Sequence, residues 1–252
     1  MLLRALIIAF GMYSKIPVPK VDWDEKSMKY ALCFFPLVGV VTGAAAYTVG
    51  MLLYTLNVGA LLRSCIMTVL PVLITGGIHL DGFLDTMDGI SSYANREKRL
   101  EILKDSNSGA FAIIGGLVYF TLSIGFFSEL KADVLPIAAA GYVLSRSLSG
   151  LSVVAFKAAK KTGLVSTFSS SADETVVKAV MMLYFAVTAA FMIYINIACG
   201  AIAVISALLC FTYHYYNCIK NFGVITGDLA GYFLQLCELT VLMSAVIGRC
   251  FV

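Results

Sequence analysis

The sequence predicts an all-α, polytopic integral membrane protein of about seven transmembrane helices, and three observations carry that reading. Sixty per cent of the 252 residues are hydrophobic, only 13% are charged, and the mean hydropathy is +0.90. A soluble domain of this size carries about 25% charged residues, so the chain lacks the polar surface that a water-soluble globule needs. The apolar residues also gather in runs of membrane-crossing length, about 20 residues each. Finally, the basic residues are distributed unevenly between the connections, in the pattern of an oriented membrane protein.

The predicted spans are residues 30–56, 64–80, 109–127, 134–156, 176–195, 200–216 and 229–248. The fifth and sixth form one apolar run interrupted only by Asn196 and Gly200. That run is too long for one crossing, so it is read as a hairpin. Residues 1–12 carry Arg4 and a short apolar stretch without a small-residue cleavage site, and are read as a retained interfacial or re-entrant segment. With the start of the chain in the cytoplasm, fourteen basic residues fall inside. Three, Arg63, Lys131 and Arg249, fall outside, and Arg146 lies within a span. The expected location is the cell (inner) membrane, as one membrane-embedded catalytic domain over residues 1–252.

Under this topology the long polar connections, residues 81–108, 157–175 and 217–228, all face the cytoplasm, which places the chemistry on that side. Lys157, Lys160 and Lys161 are expected at the headgroup level. The seven cysteines contain no C-x-x-C pair and read as small core residues. No basic block suggests a nucleic-acid partner. Small residues such as Gly39, Gly43, Gly115 and Gly116 suit close helix contacts within a chain or in a homo-oligomer.

The densest chemistry is the run from Gly76 to Gly89. Asp81, Asp85 and Asp88 are spaced i, i+4, i+7 and fall within roughly 60° on one helix face. Carboxylates on one stripe repel one another unless a cation neutralises them. Magnesium, commonly held by one or two carboxylates plus substrate phosphates, is the expected cofactor. The plainer reading is a solvated helix end balanced by Arg96, Lys98 and Arg99. Gly82 marks a place where the helix could kink or begin.

Other candidates surround that run. His79 is a candidate catalytic residue, or a satisfied core histidine. Lys104 suits a phosphate as a point charge. Asp105 or Ser106 would cap the next span and leave N–H groups for a phosphate. Arg146, mid-span, needs an anion: either a substrate phosphate or a carboxylate such as Glu238. Asp228 opens the last span, as substrate ligand or as N-cap.

With these residues placed, the chain resembles the cobalamin synthase family, also called the adenosylcobinamide-GDP ribazoletransferases. The resemblance runs through Ile16-Pro17-Val18-Pro19 and Phe35-Pro36-Leu37-Val38-Gly39. It rests chiefly on His79-Leu80-Asp81-Gly82 with Asp85-Thr86 and Asp88-Gly89. It continues in Lys104-Asp105-Ser106, Gly109-Ala110-Phe111, Ser145-Arg146, Gly163 to Phe168, and Gly227-Asp228. Lys15, Asn107 and Ala112 depart from the family's usual residues. The resemblance implies that a hydroxyl of α-ribazole, or of its 5′-phosphate, attacks the cobinamide-attached phosphorus of adenosylcobinamide-GDP and displaces GMP. Two other classes fit less well. Asp85-Thr86-Met87-Asp88-Gly89 opens like a CDP-alcohol phosphotransferase signature, but the continuation is missing. A transporter would set its charges nearer the midplane.

Overall fold

The computed structural model of the chain describes residues 1–156 and 172–251. Lys157, Lys160, Lys161 and the stretch 163–168 lie outside the described residues. Every regular element among those described is helical.

A short apolar helix, α1 (Leu2–Tyr13), buries Ala5 and Ile8 against Met28 and Ala31 of α2 (Glu25–Ala31). Asp24 caps α2, its carboxylate accepting from the Ser27 N–H at 2.9 Å. A 3₁₀ turn, Leu32–Phe34, carries α2 into α3 (Phe35–Thr55), and the continuous rod Glu25–Thr55 has 31 residues. This first span therefore starts before residue 30, because its opening turns pack on α1 and keep their charged residues outward.

The second span departs most from expectation. Helix α4 (Ala60–Thr75) stops five residues short of the predicted end, and α5 (Ile78–Ser91) leaves it at 99°. Between them Gly76 and Gly77 have φ of 68° and 78°. Two successive left-handed residues break the axis, a conformation glycine adopts without strain.

Beyond α6 (Arg96–Ile102), five long helices follow among the described residues: α7 (Ala110–Glu129), α8 (Leu135–Ala155), α9 (Glu174–Ile195), α10 (Ile197–Asn217) and α11 (Gly227–Gly248). The hairpin between α9 and α10 turns at Asn196, whose side chain accepts from the Cys199 N–H at 2.9 Å. Gly200 permits that turn, since a Cβ there would lie 2.3 Å from the Met192 carbonyl oxygen. A π turn, Cys218–Phe222, ends α10.

Helix α8 is the centre of the bundle, enclosed by α3, α9 and α11, with 89% of its most apolar stretch buried. Glycine lets α3 approach it: a Cβ on Gly39 or Gly43 would sit 2.4 Å from the carbonyl oxygens of Tyr142 and Ala139. The small residues thus serve contacts within the chain. Outward faces carry Leu73, Leu117, Leu183, Val187 and Leu209, all exposed. Helices that satisfy their own backbone and turn leucine outward are what a bilayer requires. The protein is a polytopic membrane protein.

Candidate functional site

The site begins at the Gly76–Gly77 hinge. The Lys15 N–H donates to the Ile74 carbonyl at 2.8 Å, and the Lys15 stem covers Gly76. From the hinge α5 runs unbroken through Gly82. That glycine neither kinks nor starts the helix; it is where α5 touches α11. A Cβ on Gly82 would lie 2.7 Å from Asp228 Cα, and one on Gly231 would lie 3.0 Å from the His79 carbonyl oxygen. The crossing brings the first turn of α11 onto the acidic helix. Asp85 then lies within electrostatic range of Asp81, Asp88 and Asp228. Asp81 is exposed, while Asp85 and Asp228 are half-buried. Asp228 is not the N-cap of α11: Thr226 is, its hydroxyl accepting from the Leu229 N–H at 3.3 Å.

Asp88 is engaged differently from its neighbours. Its Oδ2 accepts from the Gly109 N–H at 2.6 Å and its Oδ1 from the Ala112 N–H at 2.8 Å. Helix α7 is therefore capped by a carboxylate 21 residues earlier in the chain. Neither Asp105 nor Ser106 caps it, contrary to expectation. Asp105 Oδ1 instead accepts from the backbone and side-chain N–H groups of Asn107 at 3.0 and 2.9 Å, which hold its carboxyl below the usual range. Lys104, Asp105 and Ser106 form an exposed turn between α6 and α7.

The basic residues expected to balance the acids are committed elsewhere. Arg96 donates to the carbonyls of Ile219 and Lys220, Arg99 to the Asn221 side chain, and Lys98 pairs with Glu101. The two arginine contacts dock α6 on the π turn. Among the described residues, no ion pair reaches Asp81, Asp85, Asp88 or Asp228.

Two further candidates are not brought to the cluster. Arg146 is 1% exposed, with Nη1 2.6 Å from Glu238 Oε1 and 2.8 Å from the Tyr142 carbonyl. Its anion is thus supplied by the protein, as the carboxylate alternative anticipates. His79 lies on the side of α5 away from the aspartate stripe. It is buried between Tyr13 and Phe35, with ring centroids 6.0 and 5.6 Å away, and its Nε2 has no hydrogen-bond partner.

The fit to magnesium follows from the donor set. Among the described residues, no three His, Cys, Asp or Glu side chains converge into a ready-made metal cage. Asp81, Asp85 and Asp228 nevertheless bring hard anionic oxygens together and, among the described residues, none of them has an ion-pair partner. That suits an ion held by one or two carboxylates and completed by phosphate oxygens and water. The i, i+4, i+7 spacing flagged the aspartates of α5; the Asp88–Gly109 pairing and the Gly82–Asp228 crossing are tertiary and carry no local signal.

Residues 5–246 match the family described as cobalamin-5-phosphate synthase. The chain belongs to that family. A relative from Lachnoclostridium phytofermentans is 47% identical over 247 residues, covering 98% of this chain and 95% of the relative. One from Clostridium botulinum strain Alaska E43 is 31% identical, covering 97% of each chain. One from Treponema denticola is 32% identical, covering 96% of this chain and 97% of its own. All three are named adenosylcobinamide-GDP ribazoletransferase. No structure solved by experiment matches the chain. Family membership makes the chain a transferase of cobalamin biosynthesis, and the fold makes it a membrane-bound one.

Proposed function

We propose that the protein joins α-ribazole, or its 5′-phosphate, to adenosylcobinamide-GDP with release of GMP, in a magnesium-dependent phosphate transfer on the cytoplasmic face of the cell membrane. The observation that supports it most is the set of carboxylates on α5 and at the start of α11, which among the described residues has no ion-pair partner. Such a cluster favours a divalent ion and, through it, a pyrophosphate.

In this reading the acceptor hydroxyl attacks the phosphorus attached to cobinamide. A new phosphorus–oxygen bond forms, the bridge to GMP breaks, and the hydroxyl proton is released. Asp81, Asp85 and Asp228 would hold the magnesium ion. When bound, the ion supplies charge neutralisation for the pyrophosphate and the departing GMP. Such transfers depend on positioning and electrostatics more than on a covalent protein intermediate. The chain's own residues provide that positioning. The Gly82 crossing fixes Asp228 opposite Asp81 and Asp85. The excess of basic residues on the same face, fourteen against three, supports the cytoplasmic orientation.

The test uses membranes containing the full chain, adenosylcobinamide-GDP, magnesium, and α-ribazole or its 5′-phosphate in parallel. GMP should appear with one acceptor or both and disappear when the magnesium is chelated. Absence of GMP with both acceptors at saturating magnesium would sink the proposal; persistence under chelation would remove the metal from it.

A further inference from the structure

Asp88 stands in the same stripe as Asp81 and Asp85, yet its surroundings assign it another task. Helix α7 begins with Gly109 at its N-cap, a residue with no side chain to satisfy the first-turn amides. Asp88 supplies the missing acceptor from α5, one carboxylate oxygen to each of Gly109 and Ala112 at 2.6 and 2.8 Å. Both are charge-assisted bonds, and the carboxylate also meets the positive end of the α7 dipole. The sequence around the contact is shaped to admit it. A Cβ on Gly109 would lie 2.7–2.9 Å from the Asp88 carboxylate atoms, and Cβ atoms on Gly115 and Gly116 would lie 2.8 and 3.0 Å from Met87 and Leu84. One face of α5, formed by Leu84, Met87 and Asp88, is therefore keyed into α7. Asp81 and Asp85 are left toward α11.

We infer that Asp88 is a positioning residue, fastening the start of α7 and the Lys104–Ser108 turn that leads into it onto the acidic helix, and is not a third metal ligand. Without this bond the turn carrying Lys104 would lose its anchor on α5. The inference rests on the transfer reaction proposed above for its consequence, and on the geometry alone for the fastening.

The experiment exchanges the cap between the two helices. In Asp88→Ala the first turn of α7 loses its acceptor, and GMP release should fall on the order of 10²-fold, as misplacement near a reaction centre does. In Gly109→Ser alone, the new Cβ meets the carboxylate and activity should also fall. Combined, the two changes should help one another, because a serine at the N-cap can accept from the Ala112 N–H itself. The double variant should regain about tenfold of the activity lost by Asp88→Ala, with the magnesium concentration for half-maximal rate unchanged from the unaltered protein. Amide hydrogen exchange across residues 105–113, read on the same purified samples, should rise in Asp88→Ala and fall back in the double variant. Should the alanine variant not fold, Asp88→Asn, which keeps one acceptor oxygen, takes its place with smaller changes in the same directions. Unchanged exchange in the single variant would overturn the inference. So would restored exchange without restored activity, since Asp88 would then be acting on the substrate or metal. Failure of the unaltered protein to release GMP would fault the proposed reaction instead, leaving the exchange results to decide the fastening.

Discussion

Charge without a partner is the feature that separates the reactive aspartates from the rest. Asp85 and Asp228 are half-buried and, among the described residues, form no ion pair, whereas Arg96, Lys98 and Arg99 each have other partners. Asp85→Asn should therefore leave the protein folded, even slightly more stable through reduced repulsion, while GMP release falls by on the order of 10²-fold or more at limiting magnesium. Near-normal turnover by this variant would exclude Asp85 as an anionic ligand. Arg146 is the opposite case, a charge fully answered inside the bundle. Its pair with Glu238 sits beside a small cavity lined by Thr68, Tyr119, Ser123 and Tyr142, and Ser145 also donates to Glu238 at 3.2 Å. Removing one member of a buried pair strands the other, at about 3–5 kcal/mol. Arg146→Ala should lower the thermal midpoint in detergent accordingly, and adding Glu238→Gln should restore part of it. Restored stability would mark Arg146 as structural. A stable Arg146→Ala protein with lost GMP release would instead return the arginine to the substrate.

At the level of elements, hydropathy located every long helix, and the breaks followed rules that a window average overlooks. The window extended the second span to residue 80 because Ile78 and Leu80 are apolar, but the Gly76-Gly77 doublet ends α4 at Thr75. The i, i+4, i+7 stripe was legible because α5 is a real helix through all three aspartates. Which neighbour each aspartate faces was not, since that depends on α7 and α11 arriving from elsewhere in the chain. Asp105 and Ser106 looked like caps by residue type; the true cap of α7 comes from another helix and has no local sequence signature. Gly82 shows how an apparent breaker serves as a contact. Gly82→Ala should raise the intrinsic helix propensity of α5 yet push Asp228 away, because the new Cβ falls 2.7 Å from backbone that cannot rotate aside. The expected outcome is normal membrane insertion with GMP release reduced at least tenfold, whereas an alanine at exposed Gly125, which has no atom within 4 Å, should be silent. Equal activity in the two variants would mean that the α5–α11 crossing does not set the site.

For the whole molecule, the count of crossings turns on whether the bent pair α4–α5 traverses the bilayer or returns to the side it entered. Helix α7 provides the ruler. Its 20 residues span about 30 Å, the thickness of the hydrocarbon core. At its far end the Leu130 carbonyl accepts from the Tyr54 hydroxyl, and the Arg63 guanidinium lies over the Tyr54 ring at 4.1 Å. The start of α4 is therefore at that end. At the near end of α7, Asp88 of α5 caps the first turn. The bent pair thus begins at one end of α7 and finishes at the other, which argues for one broken crossing and predicts a total of seven where length and composition allow six or seven. An odd number puts the termini on opposite sides. Tyr13 at the end of α1 packs on His79 near the acidic end, and Arg249 after α11 pairs with Asp133 at 2.9 Å at the other. Combined with the bias of basic residues, this predicts a cytoplasmic N-terminus and an external C-terminus. Reporters fused in turn to each end of the full chain, one active only in the cytoplasm and one only outside, should give opposite signals. A cytoplasmic signal from both ends would mean that α4 and α5 form a re-entrant loop and that only six helices cross. The carboxylates would then have to reach the cytoplasmic face from a pair that enters and leaves on the other side, and the proposed orientation of the site would fall with the seventh crossing.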